Sequence, residues 1–110
     1  MEKFPKFIIE GDAIVLGKVT YHKDLLTNKE NIKGGGWFRV DQETNTFIFY
    51  GESYDFGPAK LEDIKNAISK ERVFEYSINR RNIFSRHNYA YDTGSEVIVL
   101  SNINVTKPTE

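Results

Sequence analysis

His22 and His87 are the only side chains here whose ordinary pKa lies near neutrality, and the chain has no cysteine. A neutral imidazole can act as a general base or a nucleophile, whereas thiolate chemistry, disulfides and cysteine-based zinc sites are excluded. His22 lies in Tyr21-His22-Lys23-Asp24 and, taken alone, reads as a structural or surface residue. His87, in the polar stretch Ser85-Arg86-His87-Asn88, reads as a solvated loop residue. Two histidines without an adjacent carboxylate cluster make a poor metal site. No Gly-x-Ser-x-Gly elbow is present, and Lys33 precedes the glycines where a Walker A loop needs its lysine after them. Asp41, Glu43, Asn45 and Glu52 echo a calcium loop, but Thr46 stands where that loop needs glycine. Metal and cofactor are therefore not expected.

The second chemical feature is backbone. Gly34-Gly35-Gly36 precedes Trp37-Phe38-Arg39-Val40, and Gly51-Glu52-Ser53-Tyr54-Asp55-Phe56-Gly57-Pro58 runs into a helix. A glycine-bounded loop ahead of a helix can gather N–H groups around an anion. The plainer reading is a bulged strand entry where another backbone passes closely. Arg80, Arg81 and Arg86, with Tyr76, Phe84, Tyr89 and Tyr91 interleaved, suggest either a nucleic-acid face or a solvated edge strand with core aromatics. The net charge of −1 favours the edge strand.

These residues need a scaffold, and 110 residues suffice for one domain. The start, Met1-Glu2-Lys3-Phe4-Pro5-Lys6, holds no apolar stretch, so no signal peptide and a cytoplasmic setting are expected. The longest aliphatic runs, Ile14-Val15-Leu16 and Val97-Ile98-Val99-Leu100, are too short for a membrane span. Lys6-Phe7-Ile8-Ile9 and Ala13-Ile14-Val15-Leu16 flank a Gly-Asp turn and predict a hairpin. A second hairpin turns at residues 41–46. Pro58 near the first helical position, then Leu61, Ile64, Ala67 and Ile68, predict a helix over about 59–70, and a short helix is expected after His22. Strands are expected at Phe74, Tyr76 and Ile78, at Ile83-Phe84, at Tyr89-Ala90-Tyr91 and from Glu96 to Leu100, with a polar stretch at residues 27–31 and a frayed tail from Thr106. The expected fold is α+β, a single domain with a mostly or mixed antiparallel sheet of six to seven strands.

Assembled in order, Lys6-Phe7, Tyr21-His22-Lys23-Asp24, Gly34-Gly35-Gly36 and Tyr50-Gly51-Glu52-Ser53-Tyr54-Asp55-Phe56-Gly57-Pro58-Ala59 resemble the small metal-independent protein phosphohistidine phosphatases, whose relatives include the insect janus and ocnus proteins. The resemblance covers roughly Lys6 to Ser77. It implies a catalytic role for His22, phosphate binding by Lys6 and Ser53, and a backbone N–H from Lys23. Amides around Ser53 to Asp55 would complete the cradle. The implied substrate is a phosphohistidine-bearing protein or peptide. The implied reaction hydrolyses its phosphoramidate, with His22 as nucleophile or general base.

Three features depart from the family pattern. Asp55 stands where the family has a small residue, Trp37 replaces a basic position, and the link from His22 to Gly34 is short. Residues from about 79 onward have no counterpart and are expected to form a β extension. The alternative function is a non-enzymatic protein- or ligand-binding module of the same fold. Nucleic-acid binding is the least favoured.

Overall fold

The computed structural model describes residues 2–26, 31–77 and 79–101. The polar stretch at residues 27–30, the place of Ile78 in a strand and the tail from Thr106 lie outside the described residues.

β1 (Phe4–Glu10) and β2 (Ala13–Val19) pair antiparallel from Phe4↔Val19 to Glu10↔Ala13, leaving Gly11 and Asp12 as the loop. Gly11 has φ +65°, the conformation a two-residue hairpin asks of its first loop position. β3 (Ile32–Asp41) and β4 (Thr46–Tyr50) form the second expected hairpin. The aspartate that hinted at calcium is engaged in that turn, because Asp41 Oδ1 accepts from the Glu43 N–H at 3.1 Å.

α1 (Leu61–Ser69) starts later than the sequence suggested. Lys60 is its extended N-cap, while Pro58 bridges Gly35 and Ala59 is buried, so both are committed to the sheet. Ile64, Ala67 and Ile68 form the buried stripe, and Leu61 stays at its edge. The helix ends with Glu71 N–H on Ile68 C=O and Arg72 N–H on Ala67 C=O, a Schellman closure with Glu71 at φ 59°.

β5 (Val73–Glu75) then lies parallel to β2. The chain continues through β6 (Arg81–Asn82), a 3-10 turn at Phe84–Arg86, β7 (Asn88–Asp92) and β8 (Val97–Ser101). Ile83-Phe84 is therefore not a strand. Asn82 Oδ1 accepts the Phe84 N–H at 2.9 Å, which turns the chain out of the extended state.

The α+β class stands, with one α-helix and one curled mixed sheet among the described residues, but the sheet has eight strands rather than six or seven. Its order is β6-β5-β2-β1-β3-β4-β7-β8, with β2/β5 and β4/β7 parallel and the other pairs antiparallel. Residues beyond 79 extend both edges, β6 on one and β7–β8 on the other. No helix among the described residues is long and apolar enough to cross a membrane.

The central strands are buried on both faces, which explains their unbroken apolar runs. On one face Phe7, Ile9, Ile14, Leu16, Phe38 and Phe49 pack under α1. On the other, Ile8, Val15 and Val19 are covered by Leu25, with Phe56 alongside. That second cap brings His22 to the sheet.

Candidate active site

His22 opens a 3-10 turn, His22–Leu25, beginning at its first residue rather than after it. Two contacts fix the turn: fully buried Leu25 plugs the second core, and Asp24 Oδ2 accepts the Tyr21 N–H at 3.0 Å. Together they hold the imidazole against β3, only 3 % exposed.

His22 Nε2 lies 2.7 Å from the Gly36 carbonyl oxygen. A carbonyl only accepts, so Nε2 carries the hydrogen and, in the neutral ring, Nδ1 keeps its lone pair. Nδ1 has no hydrogen-bond partner among the described residues. The His22 pKa is lowered from its ordinary 6.5, chiefly by burial and further by Lys6, with the Gly36 bond and the Asp55 charge opposing. The ring is thus neutral at pH 7, with Nδ1 unprotonated.

Lys6 belongs to β1, pairs in register with Trp37 and is 9 % exposed. Its Nζ donates to the Thr20 carbonyl at 2.5 Å and lies 5.0 Å from the Trp37 ring centroid. Among the described residues no carboxylate forms an ion pair with it. Trp37 meets His22 edge-on, with ring centroids 6.2 Å apart, and leans on Phe4 on its other side. The indole occupies the expected place of a basic residue and walls the imidazole and the ammonium together.

The glycines serve a different purpose from an anion cradle. A Cβ on Gly34 would come within 2.3 Å of the Pro58 carbonyl oxygen, and one on Gly35 within 2.5 Å of the Phe7 oxygen. Gly35 N–H donates to Gly57 C=O at 3.0 Å, and Ser53 N–H donates to Gly35 C=O at 3.0 Å. Close passage of two backbones is what this stretch needs. Ser53 itself is 2 % exposed, and its hydroxyl accepts the Phe56 N–H at 3.1 Å. It ties the loop closed, and its own amide is committed. The N–H groups of Tyr54 and Asp55 have no partner among the described residues, and Tyr54 is 99 % exposed.

Asp55 faces the turn that carries His22. It lines a cavity of about 400 Å³ with Tyr21, Lys23, Leu26 and Phe56. Lys23 is exposed there, its Nζ 5.3 Å from the Tyr21 ring centroid. The structure therefore brings together His22, Lys6 and Trp37, and turns Ser53 inward behind the glycines. It sets Asp55 and Lys23 in a neighbouring cavity that these three do not line, with Asp55 near enough to act on His22 by its charge. The Gly36 and Thr20 carbonyls, which orient the His22 and Lys6 side chains, are not among the residues the sequence singled out for these roles. Backbone acceptors carry no residue-type signal, so nothing in the sequence marked them.

Elsewhere, His87 is half-buried rather than solvated, stacked on Phe47 at 4.1 Å. Arg80 pairs with Glu10 at 2.5 Å and also reaches the Leu25 carbonyl, and Arg81 pairs with Glu75. Two of the three arginines considered for nucleic acid are thus bound to the protein's own carboxylates. Among the described residues there is no group of three or more metal-ligating side chains. Comparison with protein-family models, with curated proteins and with solved structures gives no match.

Proposed function

We propose that this chain is a phosphohistidine-phosphatase-like domain in which His22 works as nucleophile or general base beside the Lys6 ammonium. The observation that carries the reading is the Gly36 carbonyl on Nε2, which leaves Nδ1 unprotonated at neutral pH. In phosphohistidine the P–N bond is labile once the leaving nitrogen is protonated, so the reaction needs little beyond a base and positive charge. In one route Nδ1 takes a proton from water as the water oxygen bonds phosphorus, and hands it to the leaving imidazole nitrogen as the P–N bond breaks. In the other Nδ1 bonds phosphorus, the leaving nitrogen takes a proton from solvent as its P–N bond breaks, and water then cleaves phospho-His22 to release phosphate. Lys6 and the free amides near Asp55 stabilise charge on the phosphoryl oxygens. Lys23 adds positive charge from the neighbouring cavity.

The competing reading is a non-enzymatic member of the same fold that binds a protein or ligand. It is favoured by the committed Ser53 amide, by the carboxylate of Asp55 in the neighbouring cavity and by the near-complete burial of His22. Phosphate release from a phosphohistidine peptide separates the two. The proposal expects release by the wild type, unchanged by chelator and abolished in His22→Ala. Equal inactivity of both proteins removes the enzyme reading.

A further inference from the structure

A second cavity, of about 450 Å³, opens on the α1 face of the sheet, where residues 81–87 cross from β6 toward β7. Phe38 and Phe47 contribute its apolar floor, and both belong to the core cluster beneath α1. Neighbouring strand residues point to opposite faces, so Phe38 and Trp37 lie on opposite sides, and this cavity is separated from His22 by the sheet.

The floor is aromatic but not flat: Phe38 and Phe47 are 6 % and 8 % exposed, and their ring planes are tilted by 41°. The Phe38 and Phe47 centroids are 5.3 Å apart, and His87 lies on Phe47 with only 19° between the ring planes. Asn45 Nδ2 donates to the Arg86 carbonyl at 2.6 Å, which leaves Asn45 Oδ1 to accept from His87 Nδ1 at 3.1 Å. Neutral His87 therefore keeps a lone pair on Nε2. Burial and the nearby Arg86 hold its pKa below the ordinary 6.5.

The rim is positive. Lys18, Arg81 and Arg86 line the cavity, and the carboxylate among its lining residues, Glu75, is held by Arg81. Lys18 and Arg86 form no ion pair among the described residues. In a chain of net charge −1, this is a local concentration of cations over an aromatic floor. The volume is that of an ordinary small-ligand site.

We propose that this cavity binds an aromatic ring that carries a phosphate, with the ring beside His87 and against the exposed edges of Phe38 and Phe47, and the phosphate between Lys18 and Arg86. Two sources share that chemistry, a nucleoside monophosphate and a simple aryl phosphate. The test is a ¹H–¹⁵N NMR titration of the full chain at low salt with AMP, phenyl phosphate, adenosine and inorganic phosphate. AMP or phenyl phosphate should shift the amides of Lys18 and residues 81–87. The affinity should fall about twofold to fivefold in Lys18→Gln and again in Arg86→Gln, as for exposed ion pairs. Both side chains are at the surface, and the unchanged remainder of each spectrum reports that the variant is folded. Preference for AMP assigns the nucleotide source, and preference for phenyl phosphate the aryl source. Equal binding of adenosine would remove the anion from the account, and equal binding of inorganic phosphate would remove the aromatic floor. No shift at residues 81–87 up to about 10 mM of either AMP or phenyl phosphate overturns the proposal. It does not depend on His22, so shifts confined to Lys6 and His22 also count against it while leaving the proposed phosphatase site intact.

Discussion

Replacing Asp55 by alanine should tighten phosphate binding and lower the His22 pKa further. Asp55 is exposed, lines the cavity beside the His22 turn and acts on His22 through its charge, where it raises the pKa. A carboxylate about 4 Å from one phosphate oxygen costs on the order of 4 kcal/mol per charge pair at an effective dielectric near 20, and about 1 kcal/mol in bulk water. Exposure places Asp55 toward the water limit, so a gain of about fivefold to tenfold in phosphate affinity is expected. Phosphate titration followed by ³¹P NMR at pH 7.5 and low salt reads the affinity, and the ring protons of His22 report its pKa. Raising the salt from 0.1 M toward 1 M shortens the Debye length from about 10 Å to about 3 Å and should erase most of the difference. Unchanged phosphate affinity, or a salt-independent gain, would refute the claim that Asp55 opposes an anion at this site.

Two further outcomes follow from the same geometry. Gly35→Ala should destabilise the fold by at least about 2 kcal/mol, because its Cβ would come within 2.5 Å of the Phe7 oxygen. Gly57→Ala, with no atom within 4 Å but φ +76°, should cost only about 1 kcal/mol; equal losses in urea unfolding would show that close passage is not what the triple glycine serves. His22 and His87 both have pKa values lowered from 6.5 in the folded chain. The unfolded chain therefore binds more protons just below that pH, and stability should fall as pH drops through 6.5 toward the folded values. Asp92, held low by the Gly94 N–H and Arg39, adds its own loss only below its ordinary value of 3.8. Thermal unfolding between pH 7.5 and pH 5 checks the histidine window. His87→Gln should flatten the slope, and stability that rises on acidification contradicts the assignment.

The local elements were legible because their signals are local. Gly11-Asp12 between two apolar runs, the turn after Asp41 and the Ile64-Ala67-Ile68 stripe each prescribe a structure from neighbouring residues. The pairing of β7 with β4 was not legible, since parallel strands meet across a long intervening chain and nothing in Tyr89-Ala90-Tyr91 names a partner. Ile83-Phe84 misled because its β-rich residues are overruled by the Asn82 side chain. At the site, the family resemblance rather than the residue types singled out His22 and Lys6, and both lie against Trp37. Ser53 was read as a donor to an anion, but its amide turned to Gly35. Side-chain identity cannot say which backbone carbonyl an amide will find.

The proposed chemistry depends most on one atom, His22 Nδ1. Long-range ¹H–¹⁵N correlation NMR of the imidazoles at pH 7 reads its protonation directly. A neutral ring with hydrogen on Nε2 and bare Nδ1 is the predicted result. Hydrogen on Nδ1, or a doubly protonated ring at that pH, would contradict it.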